Sequence, residues 1–220
     1  MRDIFRNRTE AGRLLAAELM HRVGWPDVIV LGLPRGGIPV AFEVAMALRV
    51  PLDVFVVRKL GVPDQPELAM GAIAGGGVRV INDEVVRELG IPMEDIEAVA
   101  AAEGRELERR EAAYRGSRSQ PEVRGRTVIL IDDGVATGST MRAAIRALNS
   151  QRPARLIVGV PTAAGPTWCE LRTEVDEFVA LMTPEPFYGV GEWYEDFDQT
   201  SDSEVTGLLE RAKRNLAAAQ

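Results

Sequence analysis

Apolar residues along this chain follow two rhythms. Leu14, Leu15, Leu19 and Val23 recur at helical spacing, which predicts an amphipathic helix over 9–23, with Thr9 as N-cap and Gly24-Trp25-Pro26 as its end. Short β-branched runs at 28–31, 52–57, 127–131, 156–160 and 177–182 read as strands. Helical patterns at 38–48, 83–89, 93–115, 140–150 and 166–172 lie between them, and a last helix begins near Ser201, whose spacing to Glu204 matches a capping box. The strand runs are apolar at nearly every position instead of every second one. Strands covered on both faces look like this, and such strands belong to a parallel sheet between helices. The predicted fold is therefore α/β, a central mostly parallel sheet with flanking helices.

Two stretches break the rhythm. Residues 59–77 are rich in Gly and Pro and read as a long irregular region, although 70–74 and 78–81 flank Gly75-Gly76-Gly77 and could pair as a hairpin. Residues 183–200 are irregular and carry Phe187, Tyr188, Trp193, Tyr194 and Phe197. The predicted organisation is a core over 1–182, with a loop near 61–77, followed by a smaller segment and terminal helix over 183–220.

Composition narrows the partners. The 220 residues carry a formal net charge of −7, which disfavours DNA and anionic membranes as bulk electrostatic partners. Aromatics are 5% of the chain, so the core must rest on Val, Ile, Leu and Ala. The one cysteine, Cys169, allows no internal disulfide and reads as a packing residue; the one histidine, His21, reads as a surface or flank residue of the first helix. That pair leaves no ordinary zinc site. The first residues lack the apolar stretch of a secretion signal and no run is long enough to span a bilayer, so a cytoplasmic location is expected. Only Lys59 and Lys213 are lysines, and Lys59 follows Arg58 at the end of an apolar run.

Ligands of parallel sheets bind in the loops beyond the carboxyl ends of strands. The loop after 127–131 holds the clearest chemistry. Val128-Ile129-Leu130-Ile131 delivers two adjacent acids, Asp132 and Asp133, to a strand end. Neighbouring like charges need compensation, from a metal, backbone amides or a vicinal diol. Ala136, Thr137, Gly138, Ser139 and Thr140 then lead into a helix, where converging amides and the helix dipole favour an anion. Acids for a sugar followed by amides for a phosphate describe a sugar-phosphate site.

The segment resembles the signature by which type I phosphoribosyltransferases bind phosphoribosyl pyrophosphate (PRPP): four apolar residues, two acids, then small residues ending in Thr-Gly-x-Thr. The resemblance implies that Asp132 and Asp133 hold the ribose hydroxyls and Mg2+, directly or through water. Residues 136–140 would bind the 5-phosphate. Leu33-Pro34-Arg35-Gly36-Gly37 stands where the family has its pyrophosphate loop, with Arg35, Gly36 and Gly37 as the contacts. Arg58 and Lys59 look like the basic pair of adenine-type members, and 61–77 occupies the place of a mobile loop that closes the site. Residues 183–200 match the position of the hood that holds the acceptor, with Phe187, Tyr188 or Trp193 stacking on its ring.

The implied activity moves a phosphoribosyl group to a nitrogen acceptor, a nucleobase or related heterocycle, and releases pyrophosphate. Asp132, Asp133, Arg35 and Lys59 would form the catalytic set, and a homodimer is the usual assembly. One position departs from the family: hypoxanthine–guanine members carry an acid where this chain has Ala136. The acceptor stays open. So does a non-catalytic reading, a PRPP or nucleotide sensor of the same fold. A sugar-phosphate hydrolase has weaker support, because a phospho-aspartate enzyme needs an Asp-x-Asp spacing that Asp132-Asp133 lacks.

Overall fold

The computed structural model describes residues 4–20, 27–116 and 120–218. His21 and the Gly24-Trp25-Pro26 helix end lie outside them. The chain runs α1 (Arg8–Met20), β1 (Val28–Gly32), α2 (Gly37–Leu48), β2 (Leu52–Val54), β3 (Val57–Val62), β4 (Gln65–Ala74) and β5 (Val78–Ile81). It continues through α3 (Asp83–Leu89), α4 (Met93–Arg115), β6 (Thr127–Ile131), α5 (Ser139–Ser150) and β7 (Arg155–Thr162). The last elements are α6 (Gly165–Leu171), β8 (Glu177–Met182), a 3-10 turn (Val190–Trp193) and α7 (Asp202–Ala218). Ser201 Oγ accepts the Glu204 N–H at 3.1 Å and starts α7 as its spacing predicted.

Five strands form a wholly parallel sheet in the order β2-β1-β6-β7-β8. Alternate residues of each strand serve opposite faces. Val28, Val30, Ile129 and Ile131 pack against Leu15 and Leu19 of α1 and Val40 and Val44 of α2. Ile29, Leu31, Val128 and Leu130 pack against Ile145 and Leu148 of α5. Both faces are covered, which is why the strands read as continuous apolar runs.

The connections reverse direction between neighbours β1 and β6. From β1 the chain passes through α2 to β2 on one side, and from β6 it passes through α5 to β7 on the other. Loops leaving adjacent strands at such a switch point diverge and open a crevice beyond their carboxyl ends. Residues 33–36 and 132–138 are those two loops.

Three expectations are corrected by the structure. The run 52–57 is not one strand. β2 ends at Val54, Phe55 donates its N–H to the Gly32 carbonyl at 2.9 Å, and Val57 opens a second sheet of three antiparallel strands, β3-β4-β5. The region expected as a loop over 61–77 is largely this sheet. Val62 pairs with Gln65 across a two-residue turn in which Asp64 has φ 64°, and Gly75-Gly76-Gly77 makes the predicted turn into β5. Its small residues hid the strands: Gly61 lies so close to β4 that a Cβ would meet the Pro66 carbonyl oxygen at 2.7 Å. Leu60, Val62, Met70 and Ile73 bury against Ile96, Leu107 and Tyr114 of α4. Arg115 ties this lobe to the parallel sheet. Its side chain is 3% exposed, pairs with Asp53 at 3.0 Å and Glu111 at 2.9 Å, and donates to the Val54 carbonyl. Cys169, expected in packing, is exposed.

Candidate functional site

The crevice at the switch point brings the two glycine-bearing motifs into contact. Gly36 has an ordinary helical φ of −62°, so conformation does not demand glycine there; space does. A Cβ on Gly36 would meet Asp133 Oδ2 at 1.9 Å, and one on Gly37 would meet Asp132 Oδ1 at 3.0 Å. The loop after β1 and the acids after β6 are therefore packed face to face. The Pro34–Arg35 peptide bond in that loop is cis.

The acid pair is held from several sides. Asp132 Oδ1 accepts the Asp133 N–H at 2.9 Å. Asp133 Oδ2 accepts from Arg8 Nε at 2.8 Å, in a pair whose side chains are 12% and 14% exposed. Tyr194 donates its hydroxyl to the Asp133 carbonyl at 2.6 Å. Burial pushes the Asp132 carboxyl well above the usual carboxylate range, and the neighbouring Asp133 charge pushes it further. Burial also raises Asp133, against the opposing pull of Arg8. The Tyr194 hydroxyl is raised by burial and then by Asp133. One oxygen on each carboxylate has no protein donor among the described residues.

Beyond the acids the loop opens into a cleft of about 210 Å3, lined by Asp132, Gly134, Ala136, Thr137, Gly138, Ser139, Thr140 and Val190. Gly138 caps α5 with φ 73°, and no side chain caps this helix end. Here glycine is required twice: the φ is left-handed, and a Cβ would meet Thr167 Cγ2 at 2.5 Å. Thr167 Oγ1 donates to the Ala136 carbonyl at 2.7 Å and fixes the turn from behind. The Val135 N–H is taken by the Thr162 carbonyl at 2.9 Å, and the first helical bond from this turn is Arg142 N–H to the Gly138 carbonyl at 2.8 Å. Among the described residues, the N–H groups of Thr137, Gly138, Ser139 and Thr140 have no protein acceptor. Four donors at a helix N-terminus with a cleft before them make an anion cradle. The Thr137 and Ser139 hydroxyls, 3.3 Å apart, flank it.

The expected cations are dispersed. Arg35 sits at the crevice, near the Tyr114 hydroxyl that donates to Asp202 at 2.7 Å, and has no carboxylate partner among the described residues. Arg58 and Lys59 are neighbours in sequence but sit on β3, where alternation sends them to opposite faces. Arg58 turns to α4 and pairs with Glu103 at 2.6 Å. Lys59 shares the face of Val57, which packs against the cluster containing α5. The structure therefore does not present them as a pair.

The aromatic candidates also separate. Trp193 is 4% exposed and packs with Phe5, Ala11 and Tyr194, with Phe187 stacked on it at 6.3 Å. Burial corrects the expectation that Trp193 stacks on a ligand. Tyr188 is 77% exposed, two residues before Val190 at the cleft.

Arg8 is the residue that sequence reasoning missed. Besides Asp133 it donates Nη1 to the Asp198 carbonyl at 2.7 Å, and its guanidinium lies 3.9 Å from the Phe197 ring centroid. No local pattern marks an arginine whose partners are 125 and 190 residues away.

For a magnesium ion the donor set matters. Among the described residues no group of three or more His, Cys, Asp or Glu side chains is placed to hold a metal, so no all-protein cage is present. Magnesium instead commonly takes one or two carboxylates plus water and substrate phosphates. Two desolvated acids, each with an oxygen to offer, fit that role. Among the described residues, no helix is long and apolar enough to cross a membrane.

Comparison with known proteins places this architecture. The family model for the phosphoribosyl transferase domain matches residues 67–181, just over half of the chain and including the acid pair and the cradle. Over 216 residues, 98% of this chain, it is 46% identical to "Putative phosphoribosyl transferase MT0597" and "Putative phosphoribosyl transferase Rv0571c" of Mycobacterium tuberculosis, strains CDC 1551 / Oshkosh and H37Rv. The chain spans about half the length of these relatives, 48%. The crystal structure of TT1426 from Thermus thermophilus superposes with a TM-score of 0.88 at 40% identity, covering 94% of this chain and 98% of that one. The chain belongs to the phosphoribosyl transferase domain family.

Proposed function

We propose that the switch-point crevice binds PRPP and transfers its phosphoribosyl group to a nitrogen acceptor. The observation that carries the reading is the cradle over 137–140, whose N–H groups meet no protein acceptor among the described residues, opening on the same cleft as Asp132. A 5-phosphate seated there meets four backbone donors and a helix dipole. The ribose then lies toward Asp132 and Asp133, whose remaining oxygens accept its two hydroxyls. Pyrophosphate falls beside the loop after β1, where Arg35 offers a planar fork of donors.

Transfer of this kind breaks the bond from ribose C1 to pyrophosphate and forms one from C1 to the acceptor nitrogen. Positive charge develops on the sugar and negative charge on the departing group. Arg35 faces that negative charge, and the acid pair fixes the ribose so that C1 is exposed to the acceptor. Asp132 and Asp133 would hold Mg2+ through their available oxygens or bound water. When bound, the ion supplies charge neutralisation for the leaving pyrophosphate. Closure of the β3–β5 lobe over the crevice would exclude water. Val190 and the exposed Tyr188 border the acceptor side, with Tyr188 offering a face for a planar ring.

Ala136 places no acid or base beside the acceptor. That favours an acceptor needing no proton removal by the protein, and it also supports a second reading in which the site senses PRPP or a nucleotide without turnover. A screen of nucleobases and related heterocycles for pyrophosphate release from PRPP with magnesium separates the two. Saturable release with one acceptor class supports the transferase. Calorimetric PRPP binding with no release for any acceptor supports the sensor, and neither binding nor release rejects both.

A further inference from the structure

Arg8 joins three parts of the molecule that sequence keeps far apart. It lies on the first turn of α1, its Nε pairs with Asp133 in the acid loop, and its Nη1 holds the Asp198 carbonyl near the end of the hood segment. The Phe197 ring lies against its guanidinium at 3.9 Å. The same end of the chain is stitched to the hood by backbone bonds: Phe5 N–H to the Trp193 carbonyl at 2.9 Å, Glu195 N–H to Phe5 at 2.8 Å and Asp196 N–H to Arg6 at 3.0 Å. Tyr194 adds a second tie, from the hood to the Asp133 carbonyl at 2.6 Å.

We infer that Arg8 is a positioning residue that couples occupancy of the acid pair to the order of the hood. The inference rests on the PRPP reading for its ligand. Both ends of the link are short, and the Arg8 and Asp133 side chains are 12% and 14% exposed. With Gly36 packed against Asp133 Oδ2 and Arg8 Nε, the carboxylate has little room to rotate. A ribose that fills the other Asp133 oxygen fixes the carboxylate. The guanidinium is then fixed in turn, and with it 197–198, which follow the acceptor-side turn. Only an arginine makes both bonds, because its two nitrogens point along one rigid plane; a lysine keeps the charge but offers one nitrogen and no planar face for Phe197.

Hydrogen exchange of the hood amides of Tyr194, Glu195 and Asp196, with and without PRPP, tests this on the wild type, Arg8→Lys and Arg8→Gln. Without ligand, both variants exchange these amides about tenfold faster, the loss of one charge-assisted hydrogen bond. With PRPP, wild-type exchange slows. Arg8→Lys loses about threefold in PRPP affinity and Arg8→Gln about tenfold, and neither slows hood exchange on binding. Equal slowing in Arg8→Lys and wild type overturns the coupling, as does unchanged ligand-free exchange in both variants. Failure of the wild type to bind PRPP removes the functional reading instead, and the ligand-free arm then decides whether Arg8 holds the hood. Should Arg8→Gln not fold, Phe197→Leu replaces it, with the same direction expected and the same outcomes decisive.

Discussion

The crevice beside β6 and the lobe built on β3–β5 treat their polar groups in opposite ways. In the lobe, charges are matched: Arg58 with Glu103, Arg79 with Glu97, Arg109 and Arg110 with Glu106, and Arg115 with Asp53 and Glu111. In the crevice, two carboxylates share one cation, Arg8, in a desolvated place that raises both, and four N–H groups meet no protein acceptor among the described residues. Matched groups hold a fold. Unmatched ones cost stability, and they persist where a ligand completes them.

The largest effect should come from unmatching the lobe. Arg115→Ala leaves Asp53 and Glu111 without their buried cation and should cost about 3–5 kcal/mol in urea denaturation. A cost below about 1 kcal/mol would mean that the lobe does not depend on this tie. Gly138→Ala comes next. A left-handed residue with a Cβ against Thr167 should cost about 2 kcal/mol and displace the cradle, so stability and PRPP affinity fall together.

Asp132→Asn should act in the reverse direction on stability. Because the folded protein raises this carboxyl, its favourable contribution is full below the unfolded value of about 4 and is lost as pH rises through the raised folded value. Toward alkaline pH the wild type carries the penalty of its raised carboxyl and Asp132→Asn does not, so the variant should melt higher than the wild type there, and the gap should close as pH falls toward about 4. Melting scans across that range check the sign. The smallest effect belongs to Glu103→Gln, which breaks a pair whose side chains are 30% and 28% exposed; less than about 1 kcal/mol is expected.

Much of this fold was readable from apolar patterning, because strands buried on both faces and capped helices leave local traces. The bounds of α3, α4, β6 and β8 follow from such runs. β3 and β4 did not, since Gly61, Ala69, Gly71 and Ala72 pack by smallness and carry no alternation. At the site, Asp132 to Thr140 was legible because one contiguous segment carries the acids and the cradle. Gly36 and Gly37 were legible as a turn, but their reason, room for Asp133 and Asp132, appears only once β1 and β6 are neighbours. Arg58 and Lys59 show the converse: adjacency in sequence becomes opposite faces on a strand. Trp193 and Tyr188, five residues apart, divide into core and surface by contacts with Phe5 that no local pattern encodes.

The central claim is that the acid pair grips a ribose whose phosphate sits on 137–140. Calorimetry with PRPP and magnesium on the wild type and on the Asp132→Asn, Asp133→Asn double variant tests it most directly. Saturable binding in the wild type, abolished in a folded double variant, is the result expected. Equal affinity in both proteins would contradict it.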